Sequence, residues 1–290
     1  MPLKDIVLAV VVAAVYGVAF VAIKFSVLEL PPLMVTGWRF LLAAIPMVLF
    51  VPRPRMNPWW LVLYGVMQGV VMFGLIFVAI GQGMPGGLAS LVVQMQVFFT
   101  VLFSAVLFKE RPRAHQIAGG LVAIAGVVVI GWSKSQGAPL LPFMLVIASA
   151  CAWGMANVIA KAAKPTDMLG FIVWSSLAAP LPLFLLSMWL EAAPFAVPAA
   201  MPSWTAIGSI LFLAYPTTVF AFAAWVTLLR RYPAAVVTPF ALLIPVFGIS
   251  STALVFGETV PMLVGVGAAL VFVGLAVNVF GGRLGWLSRG

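Results

Sequence analysis

Ten apolar runs of about twenty residues follow one another along the chain, each long enough to cross a hydrocarbon core of about 30 Å as a helix. Read between proline, glycine and charged punctuation, they cover 5–27, 32–51, 58–80, 84–108, 113–131, 139–162, 166–190, 203–228, 233–256 and 259–281. In a bilayer no water satisfies a free backbone N–H or C=O, so such runs must fold as helices. The sequence therefore predicts an all-α integral membrane protein with ten transmembrane helices. Composition excludes a soluble alternative: 7% of residues are charged and 64% hydrophobic, against roughly 25% charged in an ordinary soluble domain. The first run follows Lys4 as a signal peptide would, but it has no small-residue cleavage site and has a counterpart later, so it counts as a span.

The net charge of +9 points to topology and not to nucleic acid, because the cations form no aromatic-interleaved patch and sit mostly between spans. One set of alternate segments holds Lys4, Arg53, Arg55, Lys109, Arg111, Arg113, Lys161, Lys164, Arg230, Arg231, Arg283 and Arg289; the other holds only Lys134. Cytoplasmic loops carry the excess of Lys and Arg. Both termini are therefore expected in the cytoplasm of a multi-pass inner-membrane protein, with the loop near 132–138 outside. Lys24 and Arg39 remain, and both fall inside spans, on the outer half.

The chain repeats itself. Tyr16-Gly17 with Lys24 recurs as Trp153-Gly154 with Lys161, at an offset of 137. Pro85, Phe99, Ala105, Phe108, Glu110, Gly119 and Gly126 match Pro233, Phe247, Ala253, Phe256, Glu258, Gly267 and Gly274 at an offset of 148. The extra residues belong in the Pro/Ala-rich segment near 191–202. Two units follow, 1–137 and 138–290, each of five spans. An odd number forces the second to enter the membrane upside down, and inverted repeats are a mark of transporters that alternate access around a central site.

At these residues the chain resembles the EamA branch of the drug/metabolite transporter superfamily. The resemblance rests on Tyr16-Gly17-x6-Lys24, Arg39 in "GWRFLLAA", "FKERPRAHQIAGGLVAIAGVVVI" at 108–130, and the repeated "AWGMANVIAK" and "PVFGISSTALVFGE". It covers nearly the whole chain, and within the family the chain looks most similar to the YddG-like aromatic amino-acid exporters. It implies a ten-helix inner-membrane exporter of metabolites with its site in a cavity between the halves. Two positions depart from the pattern: Tyr16 stands where tryptophan is usual, and Val97 where the second repeat has Pro245.

Tyr16, Phe20 and Lys24 are spaced i, i+4, i+8, as are Trp153, Asn157 and Lys161, so each triplet shares a helix face. Either the aromatics and Asn157 line the cavity while the lysines mark its two mouths, or the lysines snorkel and the rings pack. Candidate substrate-binding residues are Tyr16, Phe20, Gln68, Met72, Gln94, Trp153, Asn157 and Tyr215. Gln94 and Gln96 cannot share one face, so at most one points at a central site. Pro216, Pro239 and Pro245 lie inside spans, where each frees a carbonyl one turn earlier that could hold an ammonium group or simply mark a kink. Arg39, about 12 Å into its helix, needs a partner; Glu29, Glu191 and Glu258 are the acids on its side, a substrate carboxylate is the other option, and the resemblance favours a structural role. Glu110 and Glu258 occupy equivalent turns before the fifth and tenth helices, as caps for their N-termini.

All six acids fall at span ends or in loops, so no mid-membrane carboxylate serves a proton relay or a cationic drug. A neutral, aromatic cavity suits zwitterions with large side chains, namely neutral or aromatic amino acids. An anionic sugar-phosphate or nucleotide-sugar carrier would need converging basic residues, for which only Lys24, Arg39 and Lys161 are candidates. An intramembrane enzyme would need a nucleophile, base or metal constellation. The single His115 lies in a cytoplasmic turn and the single Cys151 in an apolar run, so neither a metal site nor a cofactor is expected. The expected partners are a small-molecule substrate and the lipid bilayer, and the sequence is compatible with a monomer.

Overall fold

The computed structural model describes residues 1–135, 140–191, 201–232, 234–259 and 261–287. The unit boundary at 137/138, Arg289, residues 136–138 of the loop expected at 132–138 and residues 192–200 of the segment near 191–202 lie outside the described residues. Among these residues there are nine helices long and apolar enough to cross a membrane, and one shorter helix of 17 residues. In order they are α1 (Leu3–Glu29), α2 (Pro32–Val48), α3 (Pro58–Gly81), α4 (Gly86–Phe108) and α5 (Ala114–Ser135), then α6 (Leu140–Ala163), α7 (Met168–Leu190), α8 (Trp204–Leu229), α9 (Pro239–Phe256) and α10 (Met262–Leu287). No strand occurs among the described residues.

Local chemistry sets the helix starts. Asn57 accepts from the Trp59 N–H with Pro58 at the first helical position, Asp167 accepts from the N–H groups of Leu169 and Gly170, and Ser203 accepts from Ala206. α7 is interrupted by a turn at 177–179, and four further helices are irregular in two equivalent pairs. α3 and α8 widen to π-helix at Val66–Phe73 and Leu213–Phe220, and α4 and α9 tighten to 3-10 turns at Val93–Met95 and Thr238–Leu242. Such irregularities concentrate at functional sites.

Two inverted five-helix repeats interlock through contacts that recur under the sequence duplication. At Gly17 a Cβ would lie 2.5 Å from Phe247 Cβ; at Gly154 it would lie 2.6 Å from Phe99 Cβ. The glycines thus let α1 cross α9, and α6 cross α4, at backbone distance. α5 and α10 pair with each other in the same way: a Cβ at Gly119 would meet the Gly274 carbonyl at 2.5 Å, and one at Gly126 the Gly267 carbonyl at 2.5 Å. After α4 and α9 the chain turns through Lys109 at φ 54° and Gly257 at φ 63°, left-handed at both equivalent positions.

Candidate functional site

The two lysines of the duplicated motif are joined to the other repeat. Lys24 Nζ lies 2.6 Å from Glu258 Oε1, and Lys161 Nζ lies 2.6 Å from Glu110 Oε1. Each ammonium also sits over an aromatic ring, Phe256 at 4.3 Å and Phe108 at 5.2 Å from the centroids. The Lys24–Glu258 pair is the more enclosed, with side chains 25% and 13% exposed against 46% and 50% for Lys161 and Glu110.

Glu258 does not cap α10, as its place in the sequence suggested. Its oxygens accept from the N–H groups of Gly86 and Gly87 at 3.2 and 3.3 Å, so it caps α4 across the repeat boundary. Glu110 does not cap α5 either; the Arg113 N–H there donates to Gln116 Oε1 at 2.8 Å. Glu191 and Glu29 serve helix starts too. Glu191 accepts from the Leu33 and Met34 N–H groups at the start of α2, and Glu29 accepts from the Ser203 N–H at 2.9 Å and from its hydroxyl at the start of α8. A carboxylate at a helix N-terminus satisfies free donors and opposes the positive end of the dipole.

That leaves Arg39 without any of the acids expected to partner it. The residue is 3% exposed, and among the described residues its side chain makes one hydrogen bond, from Nε to Thr218 Oγ1 at 3.1 Å. Its guanidinium carbon stands 4.0 Å from the centroid of the Phe73 ring, with Phe40 and Phe77 further off. The Thr218 hydroxyl donates to the Leu213 carbonyl at 2.8 Å, five residues back in the π-helical stretch, which turns its lone pairs toward Arg39. Beside them runs a narrow cavity lined by Arg39, Tyr64, Gln68, Phe73, Ser175, Ser176, Thr218 and Phe222. Its walls come from α2 and α3 of one repeat and α7 and α8 of the other, and Arg39 and Ser176 are equivalent positions under the offset of 137. A second cavity shares Ile172, Ser176, Thr218 and Phe222 with it and continues past Ala43, Met47 and Leu169.

The model of the EamA-like transporter family matches residues 3–132 and again 140–280, one match for each repeat. The chain belongs to the EamA-like transporter family. Among curated relatives, a probable amino-acid metabolite efflux pump of Escherichia coli is 39% identical over 97% of this chain and 96% of its own. The protein of the same description from Salmonella typhimurium is 39% identical over 99% and 98%. A solved crystal structure superposes with a TM-score of 0.64 at 21% identity, over 95% of this chain and 96% of that one, and shares the fold.

In this EamA-like transporter the residues singled out by sequence do not all meet. Gln68 lines the cavity, and its Oε1 is buried with no hydrogen-bond partner among the described residues, while its amide nitrogen faces Met72 Sδ at 3.9 Å. Tyr16 reaches the cavity wall indirectly, with its ring edge-on to Phe222 at 6.4 Å. Phe20 and Met72 are buried in the main apolar core, where Trp153 also packs. Gln94 donates to the Ala241 carbonyl at 3.3 Å, and Gln96 accepts from Asn157, so the two glutamines do face different neighbours. Asn157 spends both amide hydrogens on α4, donating to Gln96 Oε1 at 2.8 Å and Thr100 Oγ1 at 3.0 Å. Tyr215 is 39% exposed and lines none of these cavities.

Pro216 frees the Phe212 carbonyl, which accepts from the Thr217 hydroxyl at 3.2 Å. Pro239 opens the 3-10 turn and Pro245 is buried within the α9 helix that follows. Sequence reading missed Ser175, Ser176 and Thr218, because a hydroxyl in a span usually only joins helices. The position of Ser176 opposite Arg39 in the duplication was the available signal.

Proposed function

We propose that this EamA-like transporter exports neutral amino acids with large or aromatic side chains across the inner membrane, by alternating access between its two repeats. The observation that carries the reading is the 39% identity, over nearly the whole of both chains, to a protein described as a probable amino-acid metabolite efflux pump. The site chemistry supports it. A buried cavity with one cation, amide and hydroxyl oxygens and aromatic walls matches a zwitterion with a large side chain. Lys24 and Lys161 are paired with glutamates, which leaves Arg39 as the one cation lining the described cavities and disfavours a polyanionic sugar phosphate. The absence of a described carboxylate from the cavity at Arg39 supports transport without a proton relay there.

Alternation is supported by the paired contacts at the two ends, Lys24–Glu258 and Lys161–Glu110, since each joins the two repeats and opening either end requires only one of them to break. Uptake and efflux by purified protein in liposomes, across a panel of amino acids, sugar phosphates and quaternary ammonium compounds, tests the assignment. Movement of large neutral amino acids without an imposed pH gradient is expected. Movement of sugar phosphates or quaternary ammonium compounds with no amino acid overturns it.

A further inference from the structure

We propose that the cavity beside Arg39 seats both charged groups of the amino acid, its carboxylate on the Arg39 guanidinium and its ammonium group on Gln68 Oε1 and Ser176 Oγ. The inference rests on the amino-acid reading and assigns it a site. Its starting point is an imbalance. A buried guanidinium carries five N–H donors in a planar fork that fits a carboxylate with two parallel bonds, yet here one donor is used, on Thr218. The three outer acids that could have neutralised it are fixed at helix starts. An isolated charge inside a membrane protein is costly unless something pairs with it, and residues of this kind mark substrate paths.

The other lining groups supply the complementary half. Gln68 Oε1 is a buried acceptor with nothing to accept. The Ser176 hydroxyl donates to the Ile172 carbonyl at 2.8 Å, and that of Ser175 to Phe171, so both present only lone pairs to the cavity. Unused donors on Arg39 and unused acceptors on Gln68, Ser175 and Ser176 line one cavity, the set an α-ammonium carboxylate requires, and Phe222 lines it beside them as an apolar wall for the side chain. The cavity as it stands has room for about one water molecule. Substrate therefore enters as α2 and α3 part from α7 and α8, helices that belong to opposite repeats.

The probe is labelled phenylalanine taken up by liposomes, with phenylalaninamide, which lacks the carboxylate, and hydrocinnamate, which lacks the ammonium group, as competitors. The parent should be inhibited by neither analogue at concentrations where unlabelled phenylalanine competes fully. Arg39→Gln should lower phenylalanine transport about 10- to 100-fold, the worth of a hydrogen bond to a charged group, and should lose the preference for phenylalanine over its amide, with Arg39→Lys restoring part of both. Gln68→Leu removes an unsatisfied buried group, so its thermal stability should hold or rise, while its preference for phenylalanine over hydrocinnamate falls. That second variant keeps the inference open to test even if Arg39→Gln fails to fold. A parent that moves phenylalanine, with both preferences intact in every folded variant, overturns this site alone. A parent that moves no amino acid overturns the functional reading together with it.

Discussion

Lys24 and Glu258 are held 2.6 Å apart by two different repeats, and the duplication builds the same bond a second time between Lys161 and Glu110. The two bonds differ in surroundings. Glu258 is 13% exposed and also caps α4 through Gly86 and Gly87, whereas Glu110 is 50% exposed. An exposed ion pair contributes about 0–1 kcal/mol, and breaking an enclosed, hydrogen-bonded one costs about 3 kcal/mol or more. Glu258→Gln should therefore lower the melting temperature in detergent clearly, and Glu110→Gln by little. Equal losses would mean that the two ends are equally closed in solution.

Glu258 also sets an acid limit. Burial pushes its carboxyl up, but the hydrogen bond from Lys24, the Gly87 N–H and the Lys24 charge outweigh that and hold its pKa below the usual carboxylate value. A group whose folded pKa is depressed stabilises the fold above its unfolded pKa, and that contribution is lost as pH falls through the folded one. Melting temperatures should be insensitive to this group from neutral pH down to about 5 and fall below about 4. In Glu258→Gln that part of the acid loss should be absent, which a pair of pH–stability curves will show.

Topology is open to direct labelling. With Cys151→Ala as background, a cysteine at Gln82, exposed after α3, should react with a membrane-impermeant thiol reagent in intact cells, and one at Arg111, exposed before α5, should not. The reverse pattern would place both termini outside.

Asn157 tests where the working surface ends. The duplicated helix face made it a candidate cavity residue, but its amide spans from α6 to Gln96 and Thr100 on α4. Asn157→Ala leaves the Gln96 carbonyl oxygen without that partner, so a loss of about 1–3 kcal/mol in stability is expected. Substrate selectivity should be unchanged. A shift in selectivity at full stability would return Asn157 to the binding surface.

Much of the architecture was legible before any coordinates. Ten spans with bounds close to those observed follow from apolar length and punctuation, and the repeats follow from two constant offsets, because both signals are local and repeated. The pairing of charges was not legible. Lys24 and Glu258 are 234 residues apart, and nothing in linear order shows that Glu258 turns to α4 when α10 lies next to it. Arg39 illustrates the same limit from the other side: its depth announced a need for a partner, while the three acids at the right level each had a nearer obligation at a helix start. The π-helical stretches at Val66–Phe73 and Leu213–Phe220, eight residues each, are too short to leave a periodic trace in the sequence, and they decide which carbonyl Thr218 reaches.

The glycines of the duplicated motif, Gly17 and Gly154, are the points at which helices of the two repeats cross. At Gly154 an added Cβ would lie 2.6 Å from Phe99 Cβ and 3.0 Å from the Thr100 nitrogen, so α6 can keep its place against α4 only if backbone moves. Overpacking of this kind costs about 1–3 kcal/mol. Gly208, in α8, has nothing within 4 Å of the same hypothetical atom, and an exposed helical glycine replaced by alanine gains up to about 1 kcal/mol from propensity alone. Gly154→Ala should thus lower thermal stability and Gly208→Ala hold or raise it, although the chemical change is identical. Since Gly17 meets Phe247 at the equivalent crossing, Gly17→Ala should behave as Gly154→Ala does. If Gly154→Ala proved as benign as Gly208→Ala, α4 and α6 would have to stand further apart than the structure places them, and the interlock between the repeats would need another origin.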